Sequence, residues 1–332
     1  MRPPAFKTAA MLHRRHLLVA ALIAAALPAA AQAPAWPTRP VRVVVPAPVG
    51  SSLDIIVRAM SDKLGARWGQ PVMVENKAGA GGMLGMDVVA KATDGHTLGL
   101  GFNGPVAFAP FLYRKMPYDP AKDLLPVVMT TSQPNVLAVR ADHPAKSVKE
   151  LVDWAKANPG KLNYSSLCNG SSAHLTMELF LAEAGISGTH IPFNGSPPAA
   201  MAVAQGEADA TFMVAPALLA HVRNNKVRLL AVSSAQRPDT LKDLPTLADA
   251  GYRNVESLAW NGLLAPAGTP AAVVTRVNAD VNAVLTDAAV KSLLDGQGLT
   301  VVGGSAADFQ RVVDADTKRW GPIIARIGLK LD

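Results

Sequence analysis

One cysteine in 332 residues, Cys168, excludes an intramolecular disulfide. No uninterrupted apolar run reaches the ~18 residues that a membrane-spanning helix needs. Aromatic residues make up only 5% of the chain, so its cores must be built mainly from Ala, Val and Leu, side chains that suit helices laid over parallel strands. Charge is sparse as well, at 17% against 49% hydrophobic residues, which argues for a globular protein and against disorder. The charges alternate in sign and form no basic run that would track a nucleic-acid backbone, so nucleic acid is not an expected partner. There is no Gly-x-Ser-x-Gly nucleophile elbow.

What is present begins with an address. Arg14 and Arg15 precede an apolar stretch of eleven residues, Leu17 to Leu27, followed by small residues up to Ala33. That order is the signature of a secretory signal peptide. Cleavage after Ala31 is favoured over Ala33, because the latter would leave Pro34 as the first residue. The paired arginines admit the twin-arginine route, with general secretory export as the default. Loss of residues 1–31 removes Arg2, Lys7, Arg14 and Arg15 and no acid, so the net charge of +7 falls to +3. The expectation is a soluble, exported, periplasmic protein long enough for two domains.

The most informative stretch is Asn163 to Phe180, which reads as a short strand over Leu162–Ser165, a small-residue loop from Ser166 to Ser172, and a helix. Ser171 or Ser172 is placed to cap that helix, and Leu175, Met177 and Leu179 mark its apolar turns. Such a loop gathers unpaired N–H groups, hydroxyls and a positive dipole end, a ready site for a carboxylate, sulfate or phosphate. A capped helix after a flexible turn is the plainer alternative. The same device occurs earlier: Val41 to Val45 is a β-branched strand, and Gly50-Ser51-Ser52-Leu53-Asp54 opens a helix. Two such loops, over a hundred residues apart, can grip one anion between two domains.

Between them, Pro71 to Glu75 reads as a strand and Asn76 to Gly85 as a glycine-rich turn into a helix. A dinucleotide fingerprint would need glycine at position 84, which is Leu84, so close backbone packing explains the glycines better. Thr97 to Leu100 is a strand ending in a third loop, Gly101 to Gly104, in which Asn103 borders a cleft. Val127–Thr131 and Val136–Val139 read as two strands separated by a crossing at Ser132–Asn135. Ser147 and Glu150 form a capping box for the next helix. Ala210–Val214 and Val227–Val232 are strands flanking a helix, and Ser257–Leu264 is a strand returning to the first domain. Thr269-Pro270 supplies an N-cap and a proline at the first helical position, and Ser305 and Asp308 cap the last helix. Strands alternating with helices at this spacing predict an α/β fold with parallel sheets.

Enzyme readings find little support. Ser172 and His174 are two apart and do not face each other on a helix. His174 and Glu178 share a face, yet no third metal ligand accompanies them, and a surface ion pair is the simpler reading. Cys168 lies at a helix start, where thiolates are stabilised, but nothing names a base for it, and a packing role is preferred. An exported hydrolase or transferase using Cys168 or a loop serine stays as the alternative of another class.

Six segments, taken in order, resemble the Bug/TctC-type extracytoplasmic solute receptors of tripartite tricarboxylate transporters. They are VVPAPVGSSLDIIVR (44–58), ENKAGAGGMLG (75–85), YSSLCNGSSAHLTMELF (164–180), HIPFNGSPPAA (190–200), LAVSSAQRPDTLKDLPTLADAG (230–251) and APAGTP (265–270). The resemblance implies two Rossmann-like α/β domains of the periplasmic binding protein type II, residues 36–135 with 258–332 and residues 136–257, closing on a carboxylate. It implies no cofactor, a monomer, and transient docking on membrane transporter subunits; an adaptor for a membrane kinase would share the fold. Carried across, the gripping residues are Ala47, Val49, Gly50, Ser51, Ser52 and Asp54 in the first loop, and Ser166, Leu167, Asn169, Gly170, Ser171 and Ser172 in the second, with Asn103 and Met213 beside them. The first loop departs from the family's usual Pro-Phe-x-Pro-Gly-Gly by carrying Ala47 in place of the aromatic. Met213 and Val214 replace a usual Asp-Asn, and Leu167-Cys168 a usual Ala-Gly. These departures imply a more apolar pocket, suited to an aromatic or longer aliphatic carboxylate.

Overall fold

β-branched residues at Val41, Val43, Val44 and Val45 build the first strand, and a computed structural model describes the chain from there and its flanks, residues 36–331. The signal-peptide expectation for residues 1–31 lies outside the described residues. From Pro37 onward the chain forms one compact unit. Strands β1 (Val41–Val45), β2 (Val72–Asn76) and β3 (Thr97–Phe102) pair in parallel in the order β2-β1-β3, linked by helices α1 (Ser52–Trp68) and α2 (Met83–Ala90). A long strand, β4 (Leu124–Arg140), then carries the chain onward. Helix α3 (Val148–Ala157), β5 (Asn163–Ser166), α4 (Ser172–Ala184), β6 (Thr189–Pro192), α5 (Ser196–Gln205), β7 (Ala210–Val214), α6 (Ala215–Arg223) and β8 (Val227–Val232) make the second half. Strand β9 (Leu258–Pro266) returns, followed by α7 (Ala271–Leu285), α8 (Ala288–Gly296), β10 (Thr300–Val301) and α9 (Ala306–Ile327). The sheet runs β2-β1-β3-β9-β4-β7-β5-β6, with β8 and β10 also paired to β4.

Several expectations need correction. Val127–Thr131 and Val136–Val139 are parts of one 17-residue strand, with no break at Ser132–Asn135. Pro126 and Pro134 are tolerated because one sits at a register shift and the other is the last rung shared with β9. The sheet is mixed: β1–β3 and β5–β7 pair in parallel, but β4 and β9 cross antiparallel between them. Pro270 occupies the N-cap of α7 itself, one residue later than Thr269. The box at Ser147 closes on one side only: Ser147 Oγ accepts the Glu150 N–H, whereas the Glu150 carboxylate accepts the Lys146 N–H. The reciprocal box does form at Ser305 and Asp308.

Fully buried Val44, Met86, Leu264, Phe309 and Trp320 fill the space on one face of the first half. Tyr164, Leu175, Phe180 and Phe212 do so in the second, and Val136, Ala199, Val203, Met213 and Leu218 line its opposite face. Among the described residues, no helix is long and apolar enough to cross a membrane. The return strand is packed so closely that a Cβ at Gly262 would lie 2.3 Å from the Phe309 ring and 2.9 Å from the Val128 carbonyl oxygen. Gly262→Ala is therefore expected to cost roughly 2 kcal/mol through overpacking, read as a lower midpoint in urea unfolding.

Candidate functional site

The carboxyl ends of the parallel strands in both halves point at one cavity, the position at which open α/β sheets bind ligands. Its walls come from Ala47 and Ser51–Leu53 after β1, Phe102 and Asn103 at the end of β3, Gln133 on β4, Leu167 and Ser172 after β5, Gly195 and Ser196 after β6, Val214 ending β7, and Ala259–Asn261 on β9. The room left between them is small, about 30 Å³, so the walls stand close together and a ligand larger than a water needs them to part. None of these side chains is ionisable. The N-termini of α1, α4, α5 and α6 all reach the wall, through Ser52, Ser172, Ser196 and Val214. The first N–H groups of a helix have no acceptor inside it, and the dipole is positive at that end. The cavity therefore offers an anion a positive potential without a cationic side chain, with N–H donors chiefly from α1 and α4, since Pro197, Pro198 and Pro216 carry no N–H in the first turns of α5 and α6.

The first loop is braced from behind. Ser51 caps α1, its hydroxyl accepting the Asp54 N–H at 3.3 Å, and the Gly50 N–H donates to Asp54 Oδ2 at 2.9 Å. Gly50 has φ +79°, a left-handed value that favours glycine. The buried Asp54 carboxylate also accepts from Arg58 Nε at 2.9 Å and Asn76 Nδ2 at 3.1 Å. Burial works to raise its pKa, but those hydrogen bonds and the Arg58 charge outweigh it and hold the carboxyl below its ordinary value. Of the expected residues here, Ala47, Ser51 and Ser52 line the cavity; Gly50 and Asp54 shape the loop, and Val49 is 67% exposed on its outer side.

The second loop divides the same way. Leu167 and Ser172 line the wall. Ser171 caps α4 by accepting the His174 N–H, while the Ser166 and Ser171 hydroxyls both donate to the Cys168 carbonyl, at 3.0 and 2.8 Å. The Gly170 N–H donates to His174 Nδ1 at 3.1 Å, and the Asn169 carbonyl lies against Gly81, where a Cβ would approach to 2.8 Å. That approach, from one half of the sheet to the other, accounts for part of the glycine-rich turn. Burial pushes the Cys168 thiol up to about 12, so it is no thiolate. Asn103 lines the cavity, its amide donating to the Leu258 carbonyl at 2.9 Å and to Asp316 Oδ2 at 3.1 Å. Met213 does not reach the wall: alternate residues of a strand face opposite ways, and it is fully buried with Val136, Ala200 and Leu218 while Val214 meets the cavity.

Reasoning from sequence missed Gly195 and Ser196, although they repeat the strand–turn–helix device a third time. It also missed Gln133, which the break expected at Ser132–Asn135 hides in a crossing, and the β9 residues Ala259, Trp260 and Asn261. The expected surface pair of His174 and Glu178 is corrected as well. His174 is 1% exposed and stacks on His190 with ring centroids 3.7 Å apart, and the Tyr164 hydroxyl donates to Glu178. His190 Nε2 lies 2.7 Å from Ser166 Oγ. Since that hydroxyl donates to Cys168, the neutral ring must carry its proton on Nε2. Among the described residues no group of three His, Cys, Asp or Glu side chains could hold a metal ion.

Two α/β halves with a charge-free cavity at their strand ends define the class: a solute-binding protein of the periplasmic binding type. The chain belongs to the tripartite tricarboxylate transporter receptor family, whose model matches residues 56–329. It is 34% identical to the BugT protein of Bordetella pertussis over 309 residues, 92% of this chain and 95% of that one. A solved structure from R. palustris, Rpa4515 with adipate, is 35% identical with a TM-score of 0.86, covering 89% of this chain and 99% of that one. MatC (Rpa3494) from Rhodopseudomonas palustris, with bound malate, is 31% identical with a TM-score of 0.83, covering 87% of this chain and all of its own. The protein is thus a receptor of the Bug/TctC type and not an enzyme.

The histidine stack makes a stability prediction. Burial, reinforced by the neighbouring ring, lowers His174 to about 3, and burial lowers His190 to about 4. Folded-state values below the ordinary 6.5 mean that the unfolded chain takes up protons first as pH falls. The stabilisation is complete above pH 6.5 and is lost as pH drops toward 4. At about 1.4 kcal/mol per pH unit for each ring, on the order of 6 kcal/mol of unfolding free energy should disappear across that window, and His190→Gln should flatten the slope in urea titrations at pH 7, 5.5 and 4.5.

Proposed function

We propose that the chain is exported, loses residues 1–31, and works in the periplasm as a monomeric receptor. It captures a small carboxylate between the lobe of residues 36–135 with 258–332 and the lobe of residues 136–257, and delivers it to a tripartite tricarboxylate-type membrane transporter. The observation that carries this reading is the convergence of four helix N-termini on a cavity without one ionisable side chain. A carboxylate there keeps its charge and takes its hydrogen bonds from backbone N–H groups and the Ser51, Ser52 and Ser172 hydroxyls. A ligand touching both lobes binds the closed arrangement better than any open one, so its arrival shifts the population toward the form a transporter recognises.

The ligand class is a longer aliphatic or an aromatic carboxylate. Leu53, Phe102, Leu167, Val214 and Trp260 supply apolar wall for such a body, and nothing on the wall would neutralise the several charges of citrate. The relative solved with adipate supports an aliphatic chain of that length.

A thermal-shift panel tests this on residues 32–332, with adipate, benzoate, glutarate, citrate, malate and aspartate. A ligand at a hundredfold excess over Kd adds about 2.7 kcal/mol to stability, so adipate or benzoate should raise the melting temperature by several degrees. Ser172→Phe, which fills the cavity at the α4 N-terminus, should abolish the rise while leaving a folded protein by circular dichroism. Citrate giving the largest shift, with adipate and benzoate flat, would overturn the ligand class. Uptake of the labelled acid by cells lacking this chain, restored by wild type and not by Ser172→Phe, tests delivery.

A further inference from the structure

Thr131, Gln133 and Asn135 stand side by side on one face of β4, because alternate residues of a strand share a face. The outer two are satisfied within the protein. Thr131 Oγ1 accepts from Asn261 Nδ2 at 3.0 Å, and Asn135 Nδ2 donates to Thr176 Oγ1 at 3.3 Å. Gln133, between them, is 3% exposed and lines the cavity, yet its amide oxygen is sealed from solvent with no hydrogen-bond partner in the protein. The other two amides on the wall are tied down, Asn261 by Thr131 and Asn103 by Leu258 and Asp316. Asp316 Oδ2 also accepts the Trp260 indole N–H at 2.7 Å, which fixes a second wall residue.

A buried amide oxygen without a partner destabilises the fold, and an apolar side chain of the same size would not. Its retention on the wall of a binding cavity points to a partner on the ligand. Amide oxygen and nitrogen exchange places on a flip, so the group best suited to it both donates and accepts. We propose that Gln133 determines specificity by hydrogen-bonding a second polar group on the ligand, a carboxyl, carboxamide or hydroxyl remote from the carboxylate held by the helix N-termini. This rests on the receptor reading above and narrows it to bifunctional acids. Because no cationic side chain lines the cavity, the second group needs no charge, and a neutral amide serves as well as a carboxyl.

Calorimetric titration of residues 32–332 with adipate, adipic acid monoamide and hexanoate tests the inference. The three share one chain length and differ at the far end only. Adipate and the monoamide should each bind at least tenfold tighter than hexanoate. Gln133→Leu should weaken both at least tenfold and leave hexanoate unchanged or tighter. Without ligand, Gln133→Leu should melt at or above the wild-type temperature, because an unpartnered polar group has been removed; where leucine prevents folding, Gln133→Met carries the same expectations. Equal wild-type affinity for all three acids, a uniform loss across them in the variant, or a ligand-free variant melting several degrees lower would each overturn the role of Gln133 alone. Failure of every acid to bind wild type would overturn the receptor reading and this inference with it.

Discussion

The antiparallel pairing of β4 with β9 is the constraint on which the rest of the structure depends. The two strands run side by side from Leu124 opposite Pro266 to Pro134 opposite Leu258, and β4 then continues into the second half to pair with β7 and β8. One backbone therefore sets the position of both parallel sheets. The parallel strands on either side end toward the same place, so the turns after β1, β3, β5, β6 and β7 open onto one cavity. A register slip of one residue in β4 would turn Gln133 away from the cavity, together with Thr131 and Asn135 beside it.

Using helix N-termini instead of lysine or arginine changes what the surroundings must do. A cationic side chain brings its own charge but loses rotamer freedom on binding. Backbone N–H groups are fixed in advance, provided the loops that present them are rigid. The bracing seen behind each loop is that provision. Asp54 ties Gly50, Arg58 and Asn76 together behind the first loop. Behind the second, His174 accepts from Gly170 and His190 meets Ser166, with the two rings stacked. The ionisable groups near the site thus shape the backbone and leave the wall itself neutral.

The parts legible in the sequence were those governed by local chemistry. The helix opened by Gly50–Asp54, a cap at Ser171 or Ser172, and the capping pair of Ser305 and Asp308 follow from what helix starts require. The six ordered segments made the fold class readable. Long-range pairing was not readable: prolines at 126 and 134 look like strand breakers until β9 is known to be the neighbour at both positions. The same limit applies to the site. Which loop residues face the cavity and which brace it depends on partners far away in sequence, such as Asn76 for Asp54 or His190 for Ser166. Met213 illustrates the strand parity problem, since a change of one residue exchanges the cavity for the core.

The contacts that close the mouth show why side chains are missing where the halves meet. Gly195 faces Pro48 so closely that a Cβ would stand 2.4 Å from its ring, and Gly81 lies against the Asn169 carbonyl. Gly104 approaches the Gly170 carbonyl, where a Cβ would come to 3.1 Å. Each pair joins a loop of the first half to one of the second, and each leaves room only for backbone. A side chain at any of these points would wedge the halves apart and draw the α1 N-terminus away from those of α4 and α5. An anion would then be held by one helix end at a time, with water screening the others. The glycines of the turn after β2 thus serve the cavity indirectly, by letting the helix starts converge.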